Sequence, residues 1–207
     1  MRAGYVDLWV AGELAIIQRL KTLGYSHCAI TGDHDGLEEL RARADEIGVR
    51  VVGKNVLEAY SRGDVLNRVK ERPRHTLVSI VPMTREALMV AVRDERVDTV
   101  IVHGEIAEID RHVIQVLQNP LELTLNTVLK VMGDLKALRK IVGVCKTSIV
   151  RELPLVISSG ASNATGLRKP RQLAYLAAAL AGTDGPCLET VSETPLSILH
   201  RRRFTYG

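Results

Sequence analysis

Residues 5–31 read YVDLWVAGELAIIQRLKTLGYSHCAIT, and their pattern decides the fold. Tyr5 to Val10 is a short apolar run holding one acid, Asp7, which predicts a strand. Leu14, Ile17, Leu20 and Leu23 then recur at helical spacing, and Gly24 follows as a C-cap. His27 to Thr31 is a second strand. Further along, Leu37, Leu40, Ala44 and Ile47 predict a second helix ended by Gly48, and Val49 to Val52 begins a third strand. Strand, helix, strand, helix, strand with short joints requires parallel strands joined by helical crossovers.

The alternation continues. A short helix is predicted over Asp64–Glu71, then a strand over Leu77–Val81 stopped by Pro82. Thr84 is the predicted N-cap of a helix over Arg85–Arg93. Thr99–His103 is a strand, His112–Gln118 a helix and Leu121–Leu125 a strand. A long helical stretch runs from Thr127 to Lys146, with Gly133 and Gly143 as weak points. Leu155–Ser159 is the last strand, and helices over Pro170–Ala181, Pro186–Ser192 and Pro195–Arg203 close the chain. Seven strands in this rhythm define an α/β, TIM-barrel-like fold: a seven-stranded, incomplete α/β barrel, one domain over residues 1–207. A doubly wound open sheet is the alternative.

Composition narrows the function. At 207 residues, 46% apolar and 25% charged, the chain supports one well-buried core and is not of disordered type. No apolar run is long enough to span a membrane, and Asp7 and Glu13 interrupt the N-terminus as a signal peptide. Cys28, Cys145 and Cys187 are odd in number and widely spaced, so neither a disulfide framework nor a zinc knuckle is expected. A reducing, cytoplasmic setting follows. Residues 1–60 hold 7 Lys/Arg and 9 Asp/Glu, whereas residues 61–207 hold 21 and 15, so the second part is basic. Arg outnumbers Lys by 20 to 8, and Arg is the better bidentate phosphate ligand. With one Trp, one Phe and five Tyr, base-stacking platforms are disfavoured, while phosphate and shape recognition stay open.

The loop after the seventh strand is the most informative one. It holds Ser158, Ser159, Gly160, Ser162, Asn163, Thr165 and Gly166, then Arg168, Lys169 and Arg171 where the next helix begins. No acid occurs from Leu153 to Thr183. Hydroxyls, free backbone N–H groups and a helix start suit an anion, and the cations oppose the helix dipole unless one is nearby. The alternative is a solvated loop whose cations point into water. Two further basic clusters are Arg68–His75, with Arg72 and Arg74, and His200–Arg203, with Arg201, Arg202 and Arg203; either also reads as an exposed helix end. Three clusters on one chain point to a nucleic-acid backbone.

Asp7, His34, Glu58 and His103 lie at or near strand ends and could converge on a metal. A polar turn at Asp33-His34-Asp35 and a hydrogen-bonded, half-buried His103 are the simpler reading, and no metal, cofactor or catalytic residue is assigned. No nucleophilic Ser or Cys motif and no glycine-rich nucleotide loop is present.

The sequence resembles the barrel-shaped protein subunit of archaeal and eukaryal ribonuclease P. The resemblance rests on Val6-Asp7-Leu8, on Leu23 to Ile30, and above all on Val156-Ile157-Ser158-Ser159-Gly160-Ala161-Ser162 followed by Leu167 to Ala174. The ending Val191-Ser192, Pro195, Ile198-Leu199 and Arg203 also fits. The resemblance implies a non-catalytic subunit of the ribonucleoprotein that removes the 5′ leader of precursor tRNA. Its partners would be the catalytic RNA, a smaller protein subunit and, indirectly, precursor tRNA. It also implies a fold shared with polymerase-and-histidinol-phosphatase-type metal hydrolases, which carry His-x-His after the first strand and Thr-Asp-His after the second. Here the first position reads Asp7-Leu8-Trp9 and the second Thr31-Gly32-Asp33-His34, so a metal-dependent phosphoesterase is only the alternative function.

Overall fold

The computed structural model describes residues 4–32, 36–70, 76–106 and 108–202. Seven strands form one parallel sheet: β1 (Tyr5–Ala11), β2 (Tyr25–Thr31), β3 (Arg50–Ala59), β4 (Thr76–Pro82), β5 (Thr99–Ile101), β6 (Leu121–Thr124) and β7 (Leu155–Ser158). They pair in sequential order, β1 through β7. A doubly wound sheet reverses direction at a switch point. This sheet does not, and its two ends approach each other. Val10 bridges Ala161, Gly160 N–H donates to the Trp9 carbonyl at 3.1 Å, and Ala11 N–H donates to the Ala161 carbonyl at 2.9 Å. The result is a nearly closed seven-stranded parallel barrel.

Nine α-helices cover the described residues: α1 (Leu14–Leu23), α2 (Leu37–Ile47), α3 (Arg62–Arg68), α4 (Arg85–Ala91), α5 (Arg111–Val116), α6 (Leu125–Val131), α7 (Leu135–Val150), α8 (Pro170–Ala181) and α9 (Glu193–Arg201). Local chemistry fixes their ends. Gly24 ends α1 with φ +92°, which a Cβ would oppose. The Ser61 hydroxyl and Asp64 carboxylate form a reciprocal capping box on α3, and Thr84 caps α4 by accepting from Ala87 N–H. The long helix predicted over Thr127–Lys146 is two helices. The first ends at Val131 with Met132 as its C-cap, and the Asp134 carboxylate starts the second by accepting from the N–H groups of Lys136 and Ala137 at 2.9 and 3.1 Å. The segment predicted as a helix over Pro186–Ser192 is a short 3-10 turn over Leu188–Val191. A second 3-10 turn, Ala164–Gly166, lies in the loop after β7.

The main core lies between β3–β7 and helices α3–α8, and a second one packs α1 and α2 onto β1 and β2. A third cluster lies at the N-terminal mouth of the barrel. There Ile198 and Leu199 of α9 pack against Val6, Leu8, Ala29, Val52, Leu77 and Val156. Each of those two side chains removed from water contributes about 1.5–3 kcal/mol, so α9 works as a plug. The three cysteines are buried and unbridged.

Above the plug the barrel is polar. Lys54 (β3), Ser79 (β4), Thr99 (β5), Glu122 (β6) and Ser158 (β7) are all buried. The Lys54 ammonium donates to both Glu122 carboxylate oxygens at 2.6 Å and to the Leu8 carbonyl at 2.8 Å. Thr99 Oγ1 donates to Glu122 Oε2 at 2.7 Å, Ser158 Oγ donates to Glu122 Oε1 at 2.9 Å, and Ser79 Oγ lies 2.6 Å from Thr99 Oγ1. The Lys54 ammonium also lies 4.8 Å from the Trp9 ring centroid, within cation–π reach.

Candidate nucleic-acid interface

The loop after β7 leaves the barrel at its C-terminal face, where function collects in such folds. Asp7 fixes its origin. This buried carboxylate lies in the β1–β7 seam, and its Oδ1 accepts from Ser159 N–H at 3.1 Å and Trp9 N–H at 3.2 Å. Burial pushes the Asp7 carboxyl up to about 6, against the pull of the Ser159 and Trp9 hydrogen bonds and with the Glu122 charge adding to the rise. Gly160 then turns with φ +67°. A Cβ there would stand 2.9 Å from Thr124 and Asn126, so glycine is required both by conformation and by space.

Beyond Gly160 the loop builds itself. Asn163 Oδ1 accepts from Thr165 N–H, Thr165 Oγ1 and Gly166 N–H, holding the 3-10 turn. Leu167 is buried in the α1–α2 core, and the buried Tyr25 hydroxyl donates to the Arg168 carbonyl at 2.9 Å. Arg168 is therefore pinned at its backbone. One guanidinium nitrogen donates to the carbonyls of Thr165 and Leu167 at 2.9 Å, which leaves its other N–H donors without an acceptor among the described residues. Lys169 is exposed and is the N-cap of α8, and Pro170 occupies the first helical position. Lys169 N–H is taken by Gln172 Oε1 at 2.9 Å. Arg171 is exposed, with its guanidinium carbon 5.8 Å from the Tyr175 ring centroid. A groove of about 100 Å³ runs beside this loop, lined by Asn126, Leu129, Gly160, Ser162, Asn163 and Arg168.

The sequence-predicted residues divide accordingly. Exposed Ser162 and half-buried Arg168 line the same groove, and exposed Lys169 and Arg171 follow Arg168 directly at the start of α8. Ser158 and Ser159 do not join them, which corrects the expectation that they are surface donors. Ser158 is buried and donates to Glu122, while Ser159 is buried in the seam, where its hydroxyl accepts from Ala161 N–H at 3.2 Å. Arg201 and Arg202 lie at the opposite end of the barrel, on the plug helix and its C-cap. Both engage buried Asp98: Arg202 Nε at 2.5 Å and an Arg201 amine nitrogen at 3.6 Å. Asp98 also accepts from Val78 N–H at 2.7 Å. These arginines tie α9 to β4 and the start of β5, so their charge is partly neutralised within the fold. Arg72, Arg74 and Arg203 fall outside the described residues.

The metal candidates do not converge. Glu58 is exposed and accepts from the Tyr60 hydroxyl at 3.0 Å, His103 Nε2 lies 3.0 Å from the Pro82 carbonyl, Asp7 is sealed in the seam, and His34 falls outside the described residues. Among the described residues no group of three or more His, Cys, Asp and Glu side chains is placed to hold a metal ion. Sequence reasoning missed the Lys54–Glu122 belt, whose members lie 68 residues apart. It also missed the tie from Tyr25 to Arg168, 143 residues apart.

The fold and this surface define a class: a parallel α/β barrel with an interior sealed by its own side chains and cations concentrated at its exposed C-terminal loop. Comparison makes the class specific. The family described as RNase P subunit p30 matches residues 4–205, and the chain belongs to that family. It is a protein subunit of ribonuclease P, the ribonucleoprotein that matures tRNA. Among solved structures, one chain of "cryo-EM structure of archaeal Ribonuclease P with mature tRNA" superposes with TM-score 0.80 at 21% identity, over 96% of this chain and 91% of that one. A. niger ochratoxinase superposes with TM-score 0.65 at 11% identity, over 95% of this chain and 71% of that one. At those identities the likenesses concern the fold. Comparison with curated proteins gives no match.

Proposed function

We propose that this subunit binds the catalytic RNA of ribonuclease P through Arg168, Lys169 and Arg171, with Ser162 as a neutral donor, and breaks no bond itself. The observation that carries this reading is the run of Arg168, Lys169 and Arg171 in an acid-free stretch of the chain, from Leu153 to Thr183, in a member of the RNase P subunit p30 family. Cations held near folded RNA reduce phosphate repulsion, and each phosphate contact releases counterions. A smaller protein subunit would be the protein partner, precursor tRNA would be engaged through the assembled particle, and the setting would be cytoplasmic. The test is reconstitution with the catalytic RNA and partner subunits. The triple variant Arg168→Ala/Lys169→Ala/Arg171→Ala should fold normally and lower RNA affinity. Its log–log salt slope should fall by about 2 to 3, from ~0.7–0.9 per contact. Wild-type cleavage and salt dependence in that variant would refute the assignment.

We further propose that the barrel is related to metal hydrolases of the polymerase-and-histidinol-phosphatase type, on the ground of its seven parallel strands in sequential order. The described residues do not fit the metal site of such enzymes. Metal analysis of the purified chain tests the phosphoesterase alternative: a stoichiometric transition metal with phosphatase activity lost in His34→Ala would establish it.

A further inference from the structure

The solvent face of α7 carries Lys136, Arg139, Lys140, Gly143 and Lys146, all exposed. From Leu125 to Arg151 the sequence holds one acid, Asp134. Its Oδ1 is already engaged by the N–H groups of Lys136 and Ala137 at the start of the helix. Among the described residues no carboxylate pairs with Lys136, Arg139 or Lys146, and Lys140 donates only to the Ile106 carbonyl at 3.3 Å. Helix chemistry does not favour this arrangement. Lys136 and Lys140 stand four residues apart, where like charges repel. Lys136 lies in the first turn, where the dipole disfavours a cation.

Gly143 lies in the middle of the same face. Its φ is not in the left-handed region, and a Cβ built on it would meet nothing within 4 Å. A glycine inside a helix weakens the helix relative to alanine. Neither backbone conformation nor packing asks for one here. Arg139, Lys140 and Lys146 stand at i−4, i−3 and i+3 around it, so the bare backbone is framed by cations. A glycine in that position permits close approach of a ligand to the main chain.

We propose that this face of α7 is a second RNA-binding surface. It takes the sugar–phosphate backbone of an RNA duplex, with Gly143 at the point of closest approach. The inference rests on the reading of the chain as an RNA-contacting subunit and extends it to a surface distinct from the loop after β7. The chemistry favours a duplex over an unpaired strand. No aromatic residue occurs in α7, so bases have nothing to stack on. The wide, shallow minor groove of A-form RNA presents phosphates and 2′-hydroxyls to the four cations of this face, which lie between the exposed apolar residues Leu135 and Val150 at the two ends of α7. Lys136 to Lys146 spans about 15 Å of helix axis at 1.5 Å per residue. The surface adjoins the first one: α7 packs against α8, and Leu129 of the preceding α6 lines the groove beside Arg168.

The test uses the full chain and a blunt RNA duplex of about 16 base pairs, titrated over a range of salt. The quadruple variant Lys136→Ala/Arg139→Ala/Lys140→Ala/Lys146→Ala should lower the log–log salt slope by about 3. Gly143→Leu should weaken duplex binding about tenfold or more, with the thermal midpoint at or above wild type, because a side chain there blocks approach without disturbing packing. Gly143→Ala should raise the midpoint, which checks that the glycine has no structural duty. The inference is overturned if the quadruple variant binds with wild-type affinity and slope, or if Gly143→Leu binds as wild type. It is also overturned if the quadruple variant keeps duplex binding but loses an acidic protein subunit from the reconstituted particle. The loop variant at Arg168, Lys169 and Arg171 is run in parallel. A lower slope in that variant alone removes the α7 surface and leaves the RNA reading standing. An unchanged slope in both removes the RNA reading as well.

Discussion

Replacing Lys54 by Met tests whether the ion pair at the barrel centre is a charged pair held by burial. Both side chains are fully buried, and the ammonium reaches both carboxylate oxygens at 2.6 Å. Burial pulls the Lys54 ammonium below its ordinary range, while the Glu122 charge and hydrogen bond resist that fall. Removing one member of such a pair strands the other charge and costs about 3–5 kcal/mol. Met has similar length and little shape strain, so the loss is electrostatic and includes the donor to the Leu8 carbonyl. At this chain length, about 2–4 °C per kcal/mol corresponds to a fall in thermal midpoint of roughly 6–20 °C. Glu122→Leu should cost a similar amount. The double variant should recover most of the loss, because Thr99 keeps its contact with Ser79 and only the Ser158 hydroxyl and the Leu8 carbonyl lose partners, at about 1–3 kcal/mol in all. A double-mutant cycle by urea denaturation should therefore give a coupling of at least ~2 kcal/mol. Trp9, the single tryptophan, lies against the Lys54 ammonium and reports locally, and far-UV circular dichroism reports globally. Coincidence of the two transitions licenses the two-state treatment. A cost under about 1 kcal/mol for Lys54→Met, or additive single effects, would refute the charged-pair account.

Two further outcomes follow from the seam and the loop. Asp7 is raised to about 6 from an ordinary value near 4, so the stability it adds is full below pH 4 and lost as pH rises through 6. His27 is lowered to about 4, chiefly by burial and then by Arg50 and His200, so its stability is present above pH 6.5 and lost as pH falls. The two slopes oppose each other between pH 4 and 6. Asp7→Asn keeps an acceptor for Ser159 N–H and should stabilise by up to about 3 kcal/mol at pH 7 and by nothing near pH 4, leaving the His27 slope alone; urea curves with the same pH profile as wild type would refute this. Gly160→Ala meets both left-handed strain and a 2.9 Å clash with Thr124 and Asn126, and should cost about 2–4 kcal/mol by denaturation while also lowering RNA affinity. A variant of wild-type stability would show that the turn is not constrained as described.

The sequence was legible where the physics is local. The apolar periods of α1 and α2, the left-handed glycines that end them and Pro170 at the start of α8 are each decided within a few residues. The start of β3 was legible and its end was not, because Lys54 and Asn55 break the apolar run. Lys54 belongs inside only because Glu122 meets it there, and no local pattern pairs residues 68 apart. The same limit explains Ser158 and Ser159. A hydroxyl beside glycines reads as an exposed donor until the strand pairing shows that one faces Glu122 and the other closes the seam. The cations of α7 went unnoticed because they are spaced by helical turns rather than clustered in sequence.

Charge density is therefore a poor guide to an RNA surface, and charge pairing is a better one. His200 to Arg203 is the densest basic run in the second part of the chain, yet the two of its arginines that the structure describes engage a buried carboxylate. Removing Asp98 would leave those cations without it and loosen the plug together, so their effect on RNA binding cannot be separated from stability. Arg168, Arg171, Lys136, Arg139 and Lys146 meet no carboxylate among the described residues; Arg168 holds only loop carbonyls and Arg171 only the Tyr175 ring. Truncating a cation with no internal partner changes the surface potential and leaves the core intact. A change in salt slope at constant thermal midpoint is thus the signature that separates RNA-facing cations from structural ones. The loop after β7 and the exposed face of α7 are where that signature should appear.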